Sequence, residues 1–133
     1  HARERLAASG IDGTLRKMDA QDLAFADDSF DAVVSALSTC TFPDPVAALR
    51  EMDRVCKPDG TIRLVEHGRS DVGPIARYQE WSADAHYAKT GCRWTQDPAA
   101  VVAEAGLEAR DLETGLFGTI TTFELVPSRT AER

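Results

Sequence analysis

The feature that most constrains the fold is a strand–helix–strand pattern in the middle of the chain. The segment Phe30–Leu37 (FDAVVSAL) is almost continuously apolar, which is typical of a parallel strand buried on both faces. A helix follows, because Asp44 can cap its start, Pro45 suits its first position, and Pro58 prevents it from continuing. After a tight turn, the second strand is Thr61–His67. This order predicts a right-handed crossover in a mostly parallel sheet, and therefore an α/β fold.

The rest of the chain divides into short elements separated by turn residues. The 133 residues favour one domain spanning the whole chain. We predict a helix over 1–10, a short edge strand over 14–20, helices over 74–89 and 97–106 with a loop over 90–95 between them, and an antiparallel hairpin of strands 107–114 and 117–126. Residues after Pro127 are predicted to fray.

Composition and charge exclude several classes of function. The net charge of -7 repels phosphate backbones, so nucleic acid is a disfavoured partner. No apolar run reaches the roughly 18–20 residues of a membrane span. Cys40, Cys56 and Cys92 are an odd set without CxxC spacing, which argues against a disulfide framework or a zinc site and favours a reducing, cytoplasmic setting. The pair Asp27-Asp28 is interpreted as a solvated turn, so no metal is implied.

Polar and small residues follow both central strands. Glu66, His67 and Gly68 end the second strand, and Ser35-Ala36-Leu37 end the first. Ligands of open parallel sheets bind beyond the carboxyl ends of the strands. We therefore expect these two groups to lie side by side and to face a small molecule.

Two segments resemble a known family. MDAQDLAFADDSFDAVVSAL and ALREMDRVCKPDGTIRLVEHG resemble the ubiquinone/menaquinone-type class I S-adenosylmethionine-dependent methyltransferases. The later GCRWTQD is similar to the methyltransferase-like thiol S-methyltransferase branch. The resemblance runs from His1 to about Val126. It implies a Rossmann-like methyltransferase fold, S-adenosylmethionine as cofactor, and methyl transfer to a small, fairly apolar thiol, phenol or quinone-like acceptor.

The resemblance also assigns a cofactor side. It places Asp19 at the adenine amino group and the backbone N–H of Ala20 at the ring. Ser35, Ala36 and Leu37 would line the amino-acid end of the cofactor with backbone groups. The alternative for Asp19 is that it only caps a turn.

The acceptor side follows from the same resemblance. His67 is the first candidate base and His86 the second, since imidazole titrates nearest neutral pH. Tyr78 and Trp81, with the loop that contains Cys92, would form a lid over the substrate. The alternatives are that the aromatic residues belong to the core and that Cys92 is a small buried hydrophobe.

The chain has no counterpart of the family's glycine-rich loop or of the acidic residue after its second strand. It resembles the family from the helix after that strand onward, as an N-terminally truncated domain. We therefore expect Phe30–Leu37 to be an open sheet edge, completed by a homodimer or by a missing N-terminal segment. Arg63, where relatives are apolar, predicts a more exposed sheet face. The alternative functions are a non-catalytic, self-associating remnant or interaction module, and a binding protein for another small ligand.

Overall fold

The computed structural model describes residues 1–130, which form four α-helices, a four-stranded sheet and two short 3-10 helices. In chain order the elements are α1 (Ala2–Ser9), β1 (Phe30–Ala36), a 3-10 helix (Thr39–Thr41), α2 (Pro45–Val55), β2 (Cys56–His67), α3 (Gly73–Thr90), α4 (Pro98–Glu104), β3 (Glu108–Gly115), β4 (Ile120–Val126) and a second 3-10 helix (Ser128–Thr130). None of the helices within this part of the chain has the length and apolar character needed to cross a bilayer.

The sheet has the strand order β1-β2-β4-β3. β1 and β2 are parallel, whereas β4 runs antiparallel to both β2 and β3. The α/β fold with a C-terminal hairpin is confirmed, but the sheet is mixed rather than mostly parallel, because β4 of the hairpin pairs directly with β2. The register Ala36↔Val65 places Glu66 and His67 just beyond the end of β1.

The core lies between one sheet face and the helices α2 and α4. Ile62 and Leu64 of β2 point to the same face as Phe123 and Leu125 of β4, since side chains alternate along a strand. The full cluster of buried residues is Leu49, Met52, Cys56, Ile62, Leu64, Val102, Leu107, Phe123 and Leu125. On the opposite face Arg63 pairs with Glu124 at 2.9 Å, so the more exposed face expected from Arg63 is confirmed.

Local signals explain where the helices begin and end. The Asp44 side chain accepts a hydrogen bond from the Ala47 N–H, and Asp97 caps α4 in the same way through two N–H groups. Both helices have proline in the first turn. Gly10 ends α1 with φ 69°, a left-handed conformation that glycine adopts without strain. The predicted helices and the hairpin are therefore confirmed, with small shifts in their ends.

Two strand predictions were wrong. Residues 14–20 form no strand, because no described strand runs beside them; their only ladder contact is an isolated bridge between Asp19 and Asp22. β1 is a strand, but it is not buried on both faces, and Val34 is 68% exposed. β1 lies at the sheet edge, so the expectation of an open edge is confirmed for the described residues.

The start of β2 and the segment after Pro127 differ from the predicted turn and the predicted fraying. α2 ends at Val55, and the KPDG residues belong to β2, where the register jumps between Phe30↔Cys56 and Ala32↔Thr61. A Cβ on Gly60 would lie 2.8 Å from the Asp31 carbonyl oxygen, so glycine permits this close approach. The Arg129 guanidinium donates to the Cys56 carbonyl at 2.8 Å, so the chain is anchored beyond Pro127; residues 131–133 lie outside the described range.

Candidate functional site

The end of β2 carries a buried carboxylate. Glu66 is 0% exposed. Its Oε1 accepts a hydrogen bond from the Ser35 hydroxyl at 3.0 Å, and its Oε2 accepts from the N–H groups of Ser38 at 3.0 Å and Thr39 at 3.2 Å. A buried charge needs such partners. Glu66 thus fixes the path of the chain as it leaves β1.

That path exposes the backbone at the end of β1. Leu37 has φ 53° and donates its N–H to the Val65 carbonyl at 2.7 Å, so the chain turns sharply at the sheet edge. Ala36 and Leu37 are exposed, whereas Ser35 is buried with its hydroxyl committed to Glu66. The three predicted cofactor positions are brought together with Glu66, and two of them face solvent.

Asp19 and Ala20 lie in a separate turn. The Asp19 carboxylate accepts from the Gln21 N–H at 2.9 Å, which is the turn-capping arrangement. The Gln21 amide oxygen in turn accepts from the Asp44 N–H at 2.5 Å. The turn is therefore tied to the start of α2, and none of the hydrogen bonds found for residues 1–130 joins Asp19 directly to the Ser35–Leu37 edge.

His67 lies against two thiols. Its Nε2 is 3.2 Å from the Cys92 Sγ and 3.5 Å from the Cys40 Sγ, and the two sulfurs are 2.9 Å apart. Burial raises the pKa of Cys40 to about 12, and the adjacent Cys92 sulfur and the nearby Glu66 carboxylate act in the same direction. Burial lowers the pKa of His67; the Glu66 carboxylate opposes this shift and His86 adds to it. His67 is therefore a neutral imidazole near pH 7.

The aromatic residues predicted as a lid form an exposed surface on α3. Trp81 is 82% exposed and Tyr78 is also exposed, so neither belongs to the core. The Tyr78 ring lies 6.0 Å from Trp81 and 6.1 Å from Trp94. His86 stacks on Trp94 with ring centroids 4.1 Å apart. Trp94, in the loop after α3, connects this surface to the Cys92 segment.

Sequence reasoning missed two residues that organise this region, Gln79 and Cys40. Gln79 is buried: its side-chain amide donates to the Gly68 carbonyl at 3.0 Å, and its amide oxygen accepts from the Ser70 N–H at 2.8 Å. The available signal was its spacing of three from the buried Ala76 on the same helix. Cys40 had no local signal, because its partners come from distant segments.

Comparisons with known proteins relate both the fold and the sequence of this chain to methyltransferases. A solved structure of a protein from Pyrococcus horikoshii superimposes with a TM-score of 0.72 at 17% identity, covering 96% of this chain and 65% of that one, which shows the shared fold. Residues 1–64 match the family described as a methyltransferase domain. A phosphatidylethanolamine N-methyltransferase of Cereibacter sphaeroides is 34% identical over 126 residues, covering 92% of this chain and 61% of the relative.

The chain is therefore similar to methyltransferases, through the family match of residues 1–64 and the 126 residues aligned with the Cereibacter sphaeroides relative. These matches confirm the predicted resemblance to methyltransferases, and the structural match confirms the Rossmann-like fold. A ubiquinone/menaquinone biosynthesis C-methyltransferase of Bdellovibrio bacteriovorus is a further relative, 37% identical over 71 residues that make up 53% of this chain and 28% of the relative. The chain spans less than two thirds of the length of these two curated relatives.

Proposed function

We propose that residues 1–133 form a single, partial methyltransferase domain that takes part in methyl transfer from S-adenosylmethionine to a small, fairly apolar acceptor. The observation that carries the proposal is the Glu66-centred network, which holds the exposed Ala36–Leu37 backbone at the carboxyl end of β1. The similarity to methyltransferases supports methyl transfer as the chemistry at that edge. A small-molecule acceptor fits this edge better than a nucleic acid, given the net charge of -7.

On the cofactor side, the backbone groups of Ser35, Ala36 and Leu37 would bind the amino-acid end of S-adenosylmethionine. Asp19 and Ala20 would bind the adenine ring, with Asp19 reoriented from the turn that it caps here. The cofactor supplies a sulfonium methyl group that is displaced in line. The protein mainly has to align the nucleophile and exclude water, which is worth roughly 7–11 kcal/mol.

On the acceptor side, Tyr78 and Trp81 offer exposed aromatic faces suited to a planar or apolar acceptor. A thiolate needs no base, whereas a phenol or an enol carbon does, and neutral His67 is our candidate base. Cys92, in contact with His67, is assigned to the substrate side. The name of the Bdellovibrio bacteriovorus relative favours a quinone-like acceptor, and the name of the Cereibacter sphaeroides relative favours an amine-bearing acceptor.

The first test is binding of S-adenosylhomocysteine to the 133-residue chain by isothermal titration calorimetry. We expect micromolar binding that weakens at least about tenfold in Asp19→Ala. Asp22→Ala is the matched control, because Asp22 lies in the same exposed turn and only its backbone contacts Asp19. No binding at millimolar ligand would refute cofactor binding by this chain.

The acceptor class is tested by release of S-adenosylhomocysteine from S-adenosylmethionine in the presence of an alkyl thiol, a phenol, a quinol or a primary amine. His67→Gln should slow transfer to phenol and quinol more than transfer to thiol, because only the first two need a base. Equal loss for all acceptors would remove His67 from the role of base.

The open edge of β1 favours a second candidate function, a self-associating interaction module. A strand from a second copy, or a segment that precedes residue 1 in a longer protein, would pair with β1. Light scattering should show a dimer that dissociates in Val34→Lys but persists in Thr122→Lys, where the lysine stands on an interior strand. A monomeric wild-type chain would refute dimerisation.

We also propose a reducing, cytoplasmic setting, consistent with the free thiols of Cys40, Cys56 and Cys92.

A further inference from the structure

Three side chains of types that can bind a metal lie together near the carboxyl ends of β1 and β2. The Sγ atoms of Cys40 and Cys92 are 2.9 Å apart, and the Nε2 of His67 is 3.2 Å from the Cys92 Sγ and 3.5 Å from the Cys40 Sγ. Cys40 is 1% exposed and Cys92 is 7% exposed. Cys40 comes from the 3-10 helix after β1, His67 from the end of β2, and Cys92 from the loop after α3. The fold therefore brings the cluster together from three separate segments.

The donor set and its spacing suit a zinc ion. Two thiolates and one imidazole nitrogen are preferred zinc ligands, with Zn–S bonds of about 2.3 Å and Zn–N bonds of about 2.0–2.1 Å. Tetrahedral bonds of those lengths separate the donor atoms by roughly 3.5–3.8 Å. The His67–Cys40 distance of 3.5 Å already fits, and the two sulfurs at 2.9 Å need to separate by less than about 1 Å.

We propose that Cys40, His67 and Cys92 bind one Zn²⁺ ion, with water at the fourth position. The two thiols each release a proton on binding, so the dication and two thiolates form a centre without net charge, which suits a buried place. This assignment differs from the expectation of no metal, which rested on spacing along the sequence.

The alternative chemistry for this cluster is a Cys40–Cys92 disulfide. That bond requires a two-electron oxidant, and it would leave the His67 nitrogen without a role in the cluster. Zinc uses all three donors and needs no oxidant. Zinc would also add to an existing contact between the Cys40 and Cys92 segments, because the Arg93 N–H already donates to the Cys40 carbonyl at 3.0 Å.

The test titrates the reduced, metal-free chain with Co²⁺ followed by absorption and with Zn²⁺ followed by calorimetry. We expect one ion per chain and a thiolate-to-cobalt charge-transfer band that Zn²⁺ abolishes. Cys40→Ser, Cys92→Ser and His67→Gln should each lower zinc affinity by more than about tenfold. Cys56→Ala is the matched control and should bind normally, because Cys56 is a buried cysteine outside the cluster.

Three outcomes would overturn the proposal: no charge-transfer band in the wild-type chain, unchanged zinc affinity in the cluster variants, or a mapped Cys40–Cys92 disulfide that forms in air as readily with zinc as without it. The wild-type cobalt spectrum needs no variant, so a misfolded variant cannot obscure the answer. Zinc binding is measured without cofactor or acceptor, so its readout does not depend on methyl transfer. With zinc bound, His67 Nε2 and the Cys92 sulfur are ligands, so the proposed roles of His67 as base and of Cys92 on the substrate side apply to the metal-free chain only.

Discussion

At the scale of single residues, buried charge organises the candidate site. Glu66 is fully buried near the end of β2, a place where a carboxylate is rare unless it is fully paired. Its partners are all donors: Ser35 lies near the end of β1, and Ser38 and Thr39 follow the strand. One side chain therefore sets the shape of the edge where the cofactor is proposed to bind.

Replacing Glu66 should affect stability much more than replacing one of its partners. Glu66→Ala leaves three donors unpaired, so we expect a loss of more than about 3 kcal/mol in the free energy of unfolding, measured by urea denaturation. Ser35→Ala removes one hydrogen bond and should cost about 1 kcal/mol. Glu113→Gln, on the exposed strand β3, should change stability by less than about 0.5 kcal/mol. A similar loss for Glu66→Ala and Ser35→Ala would contradict this network.

Glu51 gives stability a defined pH dependence. The two hydrogen bonds from Arg54 hold the pKa of Glu51 below its usual value, and the Leu23 N–H that donates to Glu51 acts in the same direction against burial. The folded pKa lies below the unfolded one, so this contribution is present above about pH 4.3 and is lost as the pH falls through the folded pKa.

Glu51→Gln should therefore be less stable than wild type by about 1–3 kcal/mol at pH 7, with the gap closing below about pH 4.3. Urea denaturation across pH 3–7 measures the gap. Asp27→Asn is the parallel variant, because Asp27 is the other carboxylate bonded to Arg54. A gap that stays constant with pH would assign the effect to packing.

At the scale of elements, the helices are started by local caps but positioned by buried polar contacts. The two Asp-Pro starts are local. α3 instead depends on Gln79, whose side chain joins the helix to Gly68 and Ser70 after β2. The Trp94 indole N–H also donates to the Gln79 carbonyl at 3.2 Å, so three segments meet at one residue.

Gln79→Met should loosen these segments without emptying the space that the side chain fills. The Ser70 N–H and Gly68 carbonyl lose their partner, so unfolding should be easier by about 1–3 kcal/mol and the Ser70 amide should exchange hydrogen faster. Arg77→Ala, exposed on the same helix, is the control. Unchanged exchange at Ser70 would show that Gln79 does not hold this loop.

At the scale of the whole molecule, stability is unevenly distributed. α1 has no buried residue, and residues 11–18 lie outside the sheet. The buried cluster instead draws on α2, α4 and three of the four strands or their flanking residues. The segment before residue 19 should therefore open far more readily than the sheet.

Limited trypsin digestion should cleave first after Arg16 or Lys17, both exposed outside any helix or strand. Arg54, which is half-buried in α2 and bonded to Glu51, should resist cleavage. We expect the product to keep its circular dichroism spectrum and to unfold within a few degrees of the intact chain. Collapse of the spectrum on this cut would show that the N-terminal segment supports the core.

Local sequence patterns account for most of the elements and for their order. Asp44, Asp97, Gly10 and the alternation in residues 117–126 act on neighbours a few positions away, so their effects can be predicted from local rules. The same reasoning placed Glu66 and His67 beside Ser35–Leu37, because parallel strands end at one edge. It failed for residues 14–20, since a strand needs a partner that no local pattern supplies.

Which side chains meet depends on contacts between distant segments. Cys40 and Cys92 are separated by 52 positions, and Ser35 and Glu66 by 31, yet each pair is in contact. The exposure of Val34 likewise depends on which strands lie beside β1. Local propensity acts over a turn or two of chain, whereas burial and coordination depend on distant segments brought together by the packing of the whole core.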